Sequence, residues 1–304
     1  MSSTVARVLQ KQLEELTMCM ALVSQKKTRM WFLYYVFWLL GQAQGTIWTE
    51  PVDTPVGKIR GLHNSADGGY NMYLGIPYGM VQSNPFGAAT RYPIFNDTYD
   101  AIDDTAACPQ QFNNAIIGTL DCLRLNVFVP NTTEPKLAVI VWIHGGHFTI
   151  GDGGRLRSDP KFLVDKNVVV VTINYRLGVY GFMCLDTPEV PGNAGLKDQL
   201  LAFKWINENI ASFGGDPDKV TIMGESAGAM SIDFHLLSHQ PKLYQQAILQ
   251  SGSGLVSAII FPSDKTIPLK MAEHLGFIAD DMQQALSFLA TCHNDLVIKA
   301  TVEL

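Results

Sequence analysis

The chain has 304 residues, 47% of them hydrophobic and 16% charged, enough for a sizeable core in one large or two small domains. No internal repeat or low-complexity run interrupts it. The net charge is -6 and no basic stripe is visible, which excludes a nucleic-acid surface as the working reading.

Lys26, Lys27 and Arg29 precede an apolar run from Met30 to Leu40, followed by the small residues Gly41, Ala43 and Gly45. A basic lead, a short apolar core and a small-residue site form the pattern of a secretory signal peptide. The run is roughly half the ~20 apolar residues that a membrane span needs. Residues 1–45 are therefore expected to be a signal region with a long lead, cleaved after Ala43 or Gly45. An uncleaved anchor and a start at Met30 are the alternatives. Residues 46–304 are expected to be a secreted, extracellular domain that meets a membrane only if the apolar segment is retained. Two sequons, at Asn96 and Asn131, are glycan acceptors on that route. Of the five cysteines, Cys19 leaves with the signal region, and spacing alone does not choose a pairing among Cys108, Cys122, Cys184 and Cys292.

Ile47 to Gly61 reads as an extended hairpin turning at Pro55 and Gly57, and residues 75–118 read as long loops. Leu137–Ile143 and Val168–Ile173 are continuous apolar runs of strand length, which suits a sheet covered on both faces. Leu196, Leu200, Phe203, Ile206, Ile210 and Phe213 recur at helical spacing, and Gly214 to Pro217 stops the pattern. A short strand at Val220–Met223, a helix at Gly228–Leu237 and a strand at Ala247–Gln250 follow. The last stretch, from about Ile267 to Ala290, reads as two polar-faced helices. Alternating strands and helices predict an α/β fold with a central, mostly parallel sheet and helices on both faces.

Gly224-Glu225-Ser226-Ala227-Gly228 matches G-x-S-x-G, with the strand VTIM running in and the small-residue helix AGAMS running out. A nucleophile on a sharp strand-to-helix turn presents its hydroxyl to solvent, and the crowding of strand against helix two residues either side admits only glycine. His144-Gly145-Gly146-His147-Phe148 directly follows the strand ending at Ile143. Paired glycines there can turn backbone N–H groups toward one point. With the N–H of Ala227, those of Gly145 and Gly146 would hold the negative oxygen of a tetrahedral intermediate; an ordinary glycine turn is the bland alternative. No ligand-spaced Cys/His cluster occurs, so no metal and no organic cofactor is expected.

These elements resemble the type B carboxylesterases, the family of carboxylesterases, cholinesterases and their non-catalytic adhesion relatives. The similarity runs from about Val52 to at least Ser253. It is carried by YLGIPYG at Tyr73–Gly79, DCLRLNV at Asp121–Val127, NYRLG at Asn174–Gly178, PGNAGLKDQ at Pro191–Gln199 and FGGDP at Phe213–Pro217. The resemblance implies an α/β-hydrolase fold, a Cys108–Cys122 disulfide, a small-molecule ester substrate, an acyl-serine intermediate at Ser226 and oxyanion-hole donors at Gly146, His147 and Ala227. Departures are specific. His147 stands where the family has Gly or Ala, so its ring narrows the pocket. Phe277 stands where many relatives carry the first cysteine of a second bridge, which leaves Cys292 unpaired. No Trp lies between Cys108 and Cys122, which points away from choline esters.

Hydrolases of this fold supply the triad in the order Ser, acid, His. The resemblance puts the acid and the His in a second half absent from these 304 residues. Asp264, Asp280, Asp281, His274 and His293 follow the serine, but the two histidines fall in or at the ends of predicted helices and read as surface or capping residues. The expected function is a serine hydrolase of carboxylic esters, incomplete or inactive in this form. The rival is a non-catalytic adhesion or binding protein on the same fold, disfavoured by the retained serine.

Overall fold

A computed structural model describes residues 47–65, 69–256, 260 and 262–304. The expected signal region, residues 1–45, lies outside the described residues. An eight-stranded sheet is built from β1 (Ile47–Trp48), β2 (Leu62–Asn64), β3 (Tyr70–Pro77), β4 (Arg124–Pro130), β5 (Leu137–Ile143), β6 (Val169–Ile173), β7 (Gly215–Glu225) and β8 (Gln246–Gln250). Their spatial order is β1-β2-β3-β4-β6-β5-β7-β8. β2, β3, β4 and β6 pair antiparallel in turn, whereas β6, β5, β7 and β8 pair parallel. The parallel part carries the candidate site.

Burial explains the two apolar runs. Every residue of β6 is buried, so this strand is covered on both faces. β5 buries Leu137, Val139, Val141 and Ile143 but leaves Ala138 exposed and Ile140 and Trp142 half-buried, so its second face is only partly covered. β8, at the end of the sheet, exposes four of its five residues.

The predicted helical face forms a helix at Ala194–Asn209, continued by one 3-10 turn at Ile210–Phe213. Phe203, Ile206, Ile210 and Phe213 enter the main core beside Val139, Val141, Val171 and Ile222. The strand read at Val220–Met223 extends over all of β7. The glycine-to-leucine helix begins one residue earlier, at Ala227.

One expectation is corrected. Residues 75–118 are not all loop: β3 runs to Pro77, and the short strands Gln110–Phe112 and Ala115–Ile117 pair as a hairpin. The two tail helices are present at Ile267–His274 and Met282–Thr291, and a third, not read from the sequence, follows at Asn294–Glu303. They pack a second core in which Phe86 and Tyr180 meet Met271, Leu289 and Val297.

Cys108 and Cys122 are disulfide-bonded, both buried, and 14 residues apart in sequence. Closing a loop of that size contributes about 3 kcal/mol in the chain-entropy treatment. Cys184 and Cys292 are free, and Phe277 stacks on Phe288 with ring centroids 4.4 Å apart.

Candidate active site

Ser226 joins the end of β7 to the helix Ala227–Leu237, which we call α1. Its backbone sits at φ 54° and ψ -119°, a region that a residue with a side chain occupies only when its surroundings hold it there. Three contacts do so. The Ser226 N–H donates to the Gln250 carbonyl at 2.9 Å, and the Ser226 carbonyl accepts from the Met230 N–H at 2.9 Å. Gly252 also lies so close that a Cβ there would overlap the Ser226 carbonyl.

The two motif glycines are required by contact. A Cβ on Gly224 would come within 2.6 Å of the Gly228 carbonyl carbon, and one on Gly228 would overlap the Ile143 carbonyl oxygen. The spacing of the motif therefore records strand β7, strand β5 and helix α1 meeting at backbone distance.

The segment after β5 abuts the serine. A Cβ on Gly145 would lie 2.6 Å from the Glu225 carbonyl oxygen and 3.1 Å from Ser226 Cβ. Next comes a tight turn. Gly146 has φ 110°, His147 φ 56° and Phe148 φ 60°, and the N–H groups of Thr149 and Ile150 both donate to the Gly146 carbonyl at 3.0 Å. Positive φ at both central residues makes Gly146–Thr149 a type I′ turn. The N–H groups of Gly145, Gly146, His147 and Ala227 donate to no acceptor among the described residues. Gln110, buried inside the disulfide loop, fastens the far side of the turn. Its amide donates to the Gly151 carbonyl at 2.9 Å, and its side-chain oxygen accepts from the Gly151 N–H at 2.8 Å. Sequence reading missed Gln110. A polar side chain inside a cysteine loop carries no pattern of its own.

The histidines are mostly committed elsewhere. His144 is buried, stacks on Tyr175 at 4.4 Å and donates from Nδ1 to the Gly145 carbonyl at 2.8 Å. His235, on the buried side of α1, pairs through Nε2 with Gln199 Oε1 at 2.9 Å. His63 pairs with Asn71. His274 reaches Glu303 at 2.8 Å, and His293 caps the last helix by accepting from the Asp295 N–H; both have the surface and capping duties expected of them. Asp264 is held by Thr266 and Lys270, and Asp281 caps Met282–Thr291. No hydrogen bond among the described residues reaches Ser226 Oγ. Among those residues no group of three or more His, Cys, Asp or Glu is gathered as a metal site.

Burial pushes the imidazoles of His144 and His235 down to about 4 from the ordinary 6.5. In the unfolded chain both rings take up a proton near 6.5, and in the folded chain only near 4. Between those values the unfolded state binds more protons, so stability is full above about pH 6.5 and falls as pH drops toward 4. The urea midpoint is expected to be lower at pH 5 than at pH 7.5. Equal midpoints would show that the two rings are solvated.

Both sequon asparagines, Asn96 and Asn131, are exposed. No helix among the described residues is long and apolar enough to cross a membrane.

A mixed sheet whose parallel part ends in a strand-turn-helix elbow, with a strained serine beside a glycine turn, defines the α/β-hydrolase fold. The chain belongs to the carboxylesterase family, whose profile matches residues 49–303. It is 42% identical over 214 residues to Esterase B1 of Culex pipiens, covering 66% of this chain and 39% of that protein. Venom carboxylesterase-6 of Apis mellifera is 39% identical over 214 residues, covering 66% of this chain and 38% of that protein. Among solved structures, juvenile hormone esterase from Manduca sexta with OTFP covalently attached superposes with a TM-score of 0.75 at 34% identity. That match covers 82% of this chain and 50% of the other. The chain thus spans about two fifths of the length of the curated relatives it matches.

Proposed function

We propose that this chain is the serine-bearing part of a secreted hydrolase of carboxylic esters, with Ser226 as nucleophile. The observation that carries the reading is the Ser226 backbone, held at φ 54° and ψ -119° between two glycines that tolerate no side chain. Such strain marks an activated turn rather than an ordinary helix start. Ser226 Oγ attacks the ester carbonyl. The N–H groups of Gly145, Gly146, His147 and Ala227 receive the negative oxygen of the tetrahedral intermediate. The alcohol leaves, and water releases the acyl group from the serine. The covalently attached OTFP of the Manduca sexta enzyme is in keeping with covalent chemistry at such a site.

Secretion is supported by the leader pattern of residues 1–45, the buried disulfide, the exposed asparagines Asn96 and Asn131 as glycan acceptors, and the venom origin named for the honeybee relative. A fluorophosphonate probe, applied to this chain joined to the second half of a full-length relative that supplies the base and read by peptide mass spectrometry, tests the nucleophile. Label is expected on Ser226 and is expected to vanish in Ser226→Ala. Equal labelling of the Ala variant would refute the assignment.

A further inference from the structure

We infer that His147 is a specificity-determining residue, its imidazole forming a wall beside Ser226 that admits small acyl groups and turns away bulky ones. The inference rests on the reading of Ser226 as nucleophile and starts from the turn Gly146–Thr149. Both central residues of that turn carry side chains in the left-handed region, at φ 56° and 60°. For an L-residue this conformation is strained, because Cβ crowds the following carbonyl oxygen.

Phe148 has packing that offsets the cost. Its ring meets Phe182 edge-on at 5.0 Å, its side chain packs against the main core, and its carbonyl accepts from the Gly178 N–H at 2.7 Å. His147 has nothing comparable. It is exposed, and among the described residues its ring takes part in no hydrogen bond and no ring stacking. Glycine would hold the same turn without strain, so the imidazole contributes nothing to the fold that would account for it.

Its position supplies an account. His147 lies two residues beyond Gly145, the glycine packed against Ser226 Cβ. Its N–H is one of the donors assigned to the carbonyl oxygen of the substrate. The side chain is one bond away from the backbone that would hold that oxygen. It therefore adds bulk next to the groups on the carbonyl carbon, at a place where glycine would add none. Strain without structural return, next to a reacting atom, is the pattern of a residue retained for its effect on the site.

The test compares the labelling of Ser226 by methanesulfonyl fluoride and by phenylmethanesulfonyl fluoride in this chain joined to the second half of a full-length relative, which supplies the base, with His147 kept and in His147→Gly, His147→Ala and His147→Leu. In each reaction Ser226 Oγ bonds to sulfur, fluoride leaves and the hydroxyl proton goes to water. Peptide mass spectrometry gives the two rates, and the quantity read is their ratio, bulky over small. Removing the ring is expected to raise that ratio by about tenfold or more in Gly and Ala, in the range that steric discrimination in a pocket reaches. Leu, which keeps the bulk, is expected to hold it near the wild-type value. Thermal unfolding separates a purely structural role: Gly is expected to raise the melting temperature, whereas Ala, still left-handed, is not. An unmoved ratio in Gly and Ala with Ser226 labelled overturns the role of His147 alone. Failure of both reagents to label Ser226 in every variant overturns the nucleophile and this inference with it.

Discussion

Nitrophenyl acetate turnover by the 304-residue chain is expected to lie on the order of a million-fold below that of the same chain joined to the second half of a full-length relative. A serine hydroxyl is a weak nucleophile at neutral pH unless a base takes its proton. In a comparable triad, loss of the base costs on the order of 10⁶-fold in turnover, while the oxyanion hole and binding still leave roughly 10³-fold over water. Histidine placement motivates the expectation. His144 and His235 are buried, His63, His274 and His293 are engaged by neighbours, and nothing among the described residues hydrogen-bonds Ser226 Oγ. Ser226→Ala should remove the activity of the joined protein. Brisk hydrolysis by the 304-residue chain alone, lost on Ser226→Ala, would mean that one of its own histidines is the base, and exposed His147 would be the first to replace.

The second large effect is on stability. Arg176 and Asp198 are both fully buried, paired at 2.7 Å. The guanidinium donates through Nε and Nη2 to the two carboxylate oxygens, each at 2.7 Å, and through Nη1 to the carbonyls of Pro85 and Gly87. One side chain thus ties the segment after β6, the helix Ala194–Asn209 and the Pro85–Gly87 turn together. Asp198→Asn keeps the shape but leaves a buried charge uncompensated, and is expected to cost about 3–5 kcal/mol. Replacing both partners by apolar residues of similar volume should cost much less, because no orphan charge remains. Denaturant unfolding of the single and double variants distinguishes the cases. A loss under about 1 kcal/mol in Asp198→Asn would show that water reaches the pair.

The parts of the molecule that are local in sequence were the legible ones. The elbow is written in five consecutive residues because strand, nucleophile and helix follow one another there. The helix ending at Phe213 is written in its apolar spacing. The antiparallel part of the sheet was not legible, because Tyr70–Pro77 pairs with Arg124–Pro130 across a disulfide loop, and neither segment reveals its partner. The last helix, Asn294–Glu303, was missed because Leu296, Val297 and Ile298 run consecutively instead of recurring along one face, and its start depends on His293 acting as a cap. Arg176 and Asp198 both sit inside quoted motifs, yet their pairing requires two segments 22 residues apart to meet. The conformation of His147 was equally hidden: its identity is plain, but a positive φ has no spelling.

Strand β8 has a meaning beyond its place at the rim of the sheet. The Ser226 N–H is bonded to Gln250, the last residue of that strand, and Gly252 just past it supports the Ser226 carbonyl. The most strained backbone of the site is thus anchored to a strand with little cover. Outer strands fray at lower free energy than inner ones, so each fraying event loosens the serine before it disturbs the core. A cover over β8 would therefore steady the Ser226 backbone without touching the substrate.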